Sequence, residues 1–138
     1  MPDKEPPSFP QTGGCQCGAI RYELREPPFG VWACHCSVCR KQSGSAFGMS
    51  MGVMIDHLVF TQGEPAMWTR KTEAGHLSDS FFCRDCGTRL VHRRQEHGGR
   101  QVVKPGSLDD MSWVAPDRHI FTDTALAWVR PLIPSEQE

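Results

Sequence analysis

Seven cysteines fall into three tight groups: Cys15 and Cys17, then Cys34, Cys36 and Cys39, then Cys83 and Cys86. Thiols at C-x-C and C-x-x-C spacing let one tight turn present two sulfurs to one ion, and a tetrahedral zinc needs four thiolate or imidazole donors at about 2.0–2.3 Å. Seven ligands divide into four and three. Four cysteines close a structural site, whereas three leave a fourth position to water or substrate, the arrangement of a catalytic zinc. A disulfide framework is disfavoured because the count is odd, a bridge within Cys15-Gln16-Cys17 would be strained, and the N-terminal stretch lacks an export signal's apolar core. A redox C-x-x-C is disfavoured because neither Cys36-Ser37-Val38-Cys39 nor Cys83-Arg84-Asp85-Cys86 reads as a strand-to-helix junction.

Spacing alone permits two partitions. A zinc-ribbon pairing joins Cys36 and Cys39 to Cys83 and Cys86 and leaves Cys15, Cys17 and Cys34 over. The other joins Cys15 and Cys17 to Cys83 and Cys86 and leaves Cys34, Cys36 and Cys39 as a contiguous three-ligand claw. The second is preferred, by a small margin, because it assigns all seven without splitting the claw. Thiolates outweigh a divalent ion at either site, so cations are expected nearby. Arg40 and Lys41 follow the claw directly, and Arg84 and Arg89 flank the last pair.

The elements that must position these residues read as short strands. At 138 residues the chain is one domain by size. Residues 19–24 alternate Ile20, Tyr22 and Leu24 with Arg21 and Glu23, the period-two pattern of a half-buried strand. Further strands are expected at 30–34, 47–53, 57–61, 66–69, 77–82, 89–93, 101–104, 119–121 and 127–129. Thirteen Gly and eleven Pro interrupt any long helical period, leaving room for a helical turn at 37–42. Gly18 and Gly87 each follow a cysteine pair, where a metal-binding turn calls for positive φ. Residues 1–12 read as a flexible leader, 13–130 as the folded domain and 131–138 as a polar tail.

The remaining notable side chains read mainly as structure. Met49, Met51 and Met54 suit a core better than a copper site. Trp32, Trp68, Trp113 and Trp128 are expected as core or rim aromatics, with Trp32 close enough in sequence to wall the claw. His35, set between two claw cysteines, is mostly structural with a minor option as a proton carrier. His57, His76, His92, His97 and His119 lack ligand spacing. A formal charge of −1, from 15 basic and 16 acidic residues, argues against a nucleic-acid or anionic-membrane partner. No apolar run reaches a membrane span, and reduced cysteines suit a soluble cytoplasmic protein.

Three motifs together resemble the glutathione-dependent formaldehyde-activating enzyme family. They are Gly14-Cys15-Gln16-Cys17-Gly18 running on to Tyr22, Cys34-His35-Cys36-Ser37-Val38-Cys39-Arg40-Lys41 with Gly44-Ser45-Ala46-Phe47, and Phe82-Cys83-Arg84-Asp85-Cys86-Gly87-Thr88. Gly106-Ser107-Leu108-Asp109-Asp110, His119-Ile120-Phe121-Thr122 and Ala127-Trp128 are weaker echoes. The resemblance implies a mainly β fold, the β-tent zinc-binding fold of small antiparallel sheets. It also implies two zinc ions, a structural one on Cys15, Cys17, Cys83 and Cys86 and an active one on Cys34, Cys36 and Cys39. The implied activity is a carbon-sulfur lyase type, joining formaldehyde and glutathione. Glutathione's two carboxylates would need cationic partners, for which Arg40 and Lys41 are the first candidates. Two alternatives stay open: a non-catalytic zinc module that binds a protein partner, and an enzyme or carrier for another thiol or electrophile.

Overall fold

The computed structural model describes residues 7–134, so the outer ends of the expected leader and tail lie outside the described residues. Ten strands and one short helix follow the chain order β1 (Gln11–Gly14), β2 (Arg21–Leu24), β3 (Gly30–Cys34), α1 (Ser37–Ser43), β4 (Gly48–Met54), β5 (Leu58–Gln62), β6 (Ala66–Lys71), β7 (Leu77–Phe82), β8 (Arg89–Arg94), β9 (Arg100–Val103) and β10 (Arg118–Ile120). The fold is mainly β. Strands β1, β2 and β5 form a small antiparallel sheet, and the other seven form a sheet in the order β10-β3-β4-β9-β8-β7-β6. The second sheet is larger than expected and mixed, because β10 runs parallel to β3.

Alternation holds where it was read. In β2, Tyr22 and Leu24 are buried while Arg21 and Glu23 are partly exposed. Tyr22, Leu24, Met51, Val53, Leu90, Val91 and Val103 fill the core between the sheets. Met51 is wholly buried and Met49 packs against the core, as befits filler methionines. Trp68 and Trp128 are exposed rather than core, while Trp113 packs edge-on against Phe9 at 5.7 Å.

Two expectations about strands change. β1 begins inside the stretch read as leader. Its sequence, Gln-Thr-Gly-Gly, has no apolar rhythm, yet glycine is required at 13, where a Cβ would lie 2.5 Å from the Tyr22 ring and hydroxyl. Residues 127–129 are not a strand. Val129 and Arg130 donate back to the Leu126 carbonyl at 3.0 and 3.2 Å, so local turns satisfy this backbone before a 3-10 turn at Arg130–Leu132.

A latch joins the sheets. The Tyr22 hydroxyl meets Ser107 Oγ at 2.7 Å, Gly13 bridges to Leu108, and Asp109 accepts from Thr12 and Arg21. The weak Gly106–Asp110 echo in the sequence is therefore a structural joint. Arg21 holds the Asp109 carboxyl below its ordinary range.

Candidate metal centres

The first cysteine pair and the last are built alike. Cys15 N–H donates to the Ile20 carbonyl and Cys83 N–H to the Thr88 carbonyl, each at 3.0 Å, closing two equivalent loops. Within them Gly18 donates to Cys15 O at 3.1 Å and Gly87 to Cys83 O at 2.8 Å. Those glycines sit at φ of 83° and 81°, the left-handed region where an L side chain is strained. Each loop thus turns two thiols inward, and the two loops face one another. Sulfur separations are 3.6 Å for Cys15–Cys17 and 3.8 Å for Cys17–Cys83. A tetrahedron with 2.3 Å metal–sulfur bonds has edges of about 3.8 Å, so these four sulfurs fit a single ion.

The other three converge separately. Cys34 ends β3, and Cys36 is the N-cap of α1, its thiol accepting the Cys39 amide at 3.4 Å. Cys39 lies in the first helical turn, and Cys34 and Cys36 sulfurs are 3.4 Å apart. All seven thiols are free, and the two groups are Cys15, Cys17, Cys83 and Cys86 against Cys34, Cys36 and Cys39. The sulfurs gather as in the second of the two partitions and not as in the zinc-ribbon one. The strand-to-helix junction not anticipated at Cys36–Cys39 does exist, but a third sulfur shares it, which suits metal capture. Both groups offer only soft donors, and either could hold a metal ion.

The glutathione-dependent formaldehyde-activating enzyme family model matches residues 10–124, most of the chain. This chain belongs to that family. It is 30% identical over 82 residues to a Halomonas elongata protein provisionally named a glutathione-dependent formaldehyde-activating enzyme, a match covering 56% of this chain. The aligned part spans about half of that relative's length, 52%. A crystal structure of a Rhodobacter sphaeroides protein shares the fold with a TM-score of 0.58 at 22% identity, covering 76% of this chain and 91% of that one.

In this family member the sulfurs divide protons unequally. Cys39 donates toward Cys34 and holds the Cys34 thiol down at about 6, while the same contact pushes Cys39 up. The Thr88 hydroxyl, 3.2 Å from Cys86, leads a set of donors that lower Cys86 to about 5. At Cys17 the Ala19 amide pulls the thiol down, but Cys15, burial and the other two sulfurs outweigh it and leave it at about 12. A cation bound at either group would take these sulfurs as thiolates and release the protons that they hold.

His35 turns away from the sulfurs, as alternate residues of an extended segment do. Its ring is fully buried, stacked on His119 with Nε2 2.9 Å from His119 Nδ1, and lies 5.1 Å from the Phe47 ring. The His119 partnership could not be read from sequence, since it depends on β10 lying parallel beside β3. His92 lies in β8 with part of its surface exposed, while its imidazole ring is enclosed by neighbouring groups.

A cleft of about 610 Å³ opens between the α1–β4 segment and the Cys83–Cys86 loop, lined in part by Gln42, Phe47, Cys86, Arg89 and Lys104. Neither Arg40 nor Lys41 lines it, and Lys41 is exposed. Trp32 does not line it either; its ring carries the Arg118 guanidinium at 4.9 Å. Of the cations noted in the sequence only Arg89 reaches the cleft, and Lys104 was missed, having no cysteine nearby in sequence. No helix among the described residues is long and apolar enough to cross a membrane.

Proposed function

We propose that the protein is a zinc-dependent enzyme of carbon-sulfur lyase type that joins a small thiol, glutathione, to an aldehyde such as formaldehyde. The observation that carries this reading is the uneven division of sulfurs, four in one group and three in another, with a cleft that Cys86 of the first group lines and that reaches the second through Phe47 and Met49, the neighbours of Gly48 packed on Cys39. Zinc would sit on Cys15, Cys17, Cys83 and Cys86 as a structural ion and on Cys34, Cys36 and Cys39 as the active one. An ion on three cysteines supplies a vacant position and lowers the pKa of a thiol that reaches it.

The chain's own residues do the rest. Cys34, Cys36 and Cys39 add three negative charges around the centre, which leaves electron density on the substrate sulfur and keeps it nucleophilic. The cleft holds thiol and aldehyde together, replacing a bimolecular encounter. In the joining step the sulfur bonds to the carbonyl carbon, the carbonyl π bond breaks, and the thiol's proton ends on the oxygen, giving an S-hydroxymethyl product. The protein is expected to act in the cytoplasm on small molecules rather than on nucleic acid or membranes.

Elemental analysis of the pure protein, with X-ray absorption counting sulfurs per ion, tests this. Two zinc ions are expected, with the average sulfur count rising when glutathione is added. One zinc, or a second whose surroundings ignore millimolar glutathione, contradicts the reading.

A further inference from the structure

Lys104 is an ammonium with nothing to bind. Its Nζ is buried and makes no hydrogen bond among the described residues, although three donors are buried with it. An unpaired buried charge is costly, and burial accordingly pulls the Lys104 pKa down. Arg89 lines the same cleft and repels it, while no Asp or Glu among the described lining residues offsets either cation. Gln42, also in the lining, leaves its buried Oε1 unpartnered. The cleft thus presents two cations, of which Arg89 donates to Ser80 Oγ at 2.8 Å while the Lys104 ammonium makes no hydrogen bond, and beside them the unpartnered Gln42 Oε1.

The position is close to the claw. Phe47 and Met49 of the cleft wall flank Gly48, whose backbone packs so tightly on Cys39 that a Cβ there would stand 3.0 Å from the Cys39 Cβ. Lys104 is near enough to Cys34 and Cys39 to be attracted by both. That attraction offsets some of the claw's charge, but it leaves the ammonium's hydrogen bonds unmade and the repulsion from Arg89 unrelieved.

We propose that Lys104, with Arg89 beside it, is a carboxylate anchor that makes the protein selective for thiols carrying a carboxylate, with Gln42 taking a second polar group of the same ligand. This rests on the reading that a thiol occupies the claw, and it places the anchor at Lys104 rather than at Arg40 or Lys41. A charge-assisted hydrogen bond in a buried setting is worth about tenfold or more in affinity.

The test is calorimetric binding to the zinc-loaded protein of a matched pair, 3-mercaptopropionate and 2-mercaptoethanol, and of S-methylglutathione, which has the carboxylates but no free thiol. The acid is expected to bind about tenfold or more tighter than the alcohol. The ratio should collapse toward one in Lys104→Met and shrink in Arg89→Met, and S-methylglutathione should bind the wild type but not Lys104→Met. Equal affinity of the wild type for both thiols, no wild-type binding of S-methylglutathione, or its undiminished binding to Lys104→Met overturns the anchor. If Lys104→Met does not fold, Lys104→Gln takes its place, and the wild-type ratio already decides. Neither thiol reaching the metal, with Lys104-dependent binding of S-methylglutathione, would support the anchor and remove the thiol-activation reading.

Discussion

Cys36 has two duties, since its sulfur joins the claw and also caps α1 by accepting the Cys39 amide. A serine hydroxyl accepts an amide as well, but it is a poor donor to a soft ion. Cys36→Ser is therefore expected to lose the metal of the three-sulfur centre and keep the fold. Cys86→Ser should unfold the domain, because structural zinc contributes roughly 10–16 kcal/mol in small zinc peptides. Metal content and far-UV circular dichroism of the two variants check the division, and equal loss of structure in both would contradict it. Gly87 isolates a different residue-scale effect. No neighbouring atom lies within 4 Å of a Cβ built there, so at φ 81° an alanine meets only backbone strain. Gly87→Ala should cost about 1–2 kcal/mol in denaturant titrations of the metal-loaded protein, with metal content unchanged.

The claw as an element depends on three others. β3 delivers Cys34, α1 delivers Cys36 and Cys39, and β10 holds the residue between them. His35 N–H donates to the Ile120 carbonyl at 3.1 Å, its carbonyl accepts from Thr124 Oγ1 at 2.9 Å, and its ring meets His119. Removing the imidazole contact frees one side of this clamp. His119→Ala is expected to speed transfer of the three-sulfur metal to a chelator by about tenfold, as loss of outer-shell support does at other metal sites. His119→Asn, which keeps a polar atom near the Nδ1 position, should recover much of the difference. Release from the four-sulfur group serves as the internal control, and a parallel rise there would show general loosening instead.

Across the whole molecule, the cationic cleft leaves its mark on pH dependence. Burial, then Lys104, Arg89 and Arg70, hold the His92 pKa at about 3, against an ordinary 6.5. The unfolded chain takes up this proton as pH falls below about 6.5, while the folded chain refuses it until near 3. The stability His92 gives is therefore complete above the ordinary pKa and drains away as pH falls from about 6.5 to 3. Urea midpoints at pH 7, 5.5 and 4.5 should fall more steeply for the wild type than for His92→Gln. Parallel slopes would mean that the sheet admits the charge. Asp109, held low by Arg21, adds a similar loss at lower pH, reduced because both side chains are partly exposed.

The sequence alone determined the ligand inventory and the local rhythm of the strands. Cysteine spacing is a local property, and so is the glycine that follows each pair, because both follow from how far one turn can reach. Alternation in β2 was legible for the same reason, since each residue there reports its own face. Which cysteines share an ion had two answers on spacing, and family resemblance chose one of them. Tertiary structure supplied the physical ground by setting the Cys15 and Cys83 loops face to face, across a sequence separation of 66 between Cys17 and Cys83. It also decided β1, a strand without apolar signal that pairs with β2, where Gly13 leaves room for the Tyr22 ring. Lys104 and His119 gained their roles in the same way. Each is unremarkable among its sequence neighbours, and its meaning comes from the group that a distant strand brings beside it.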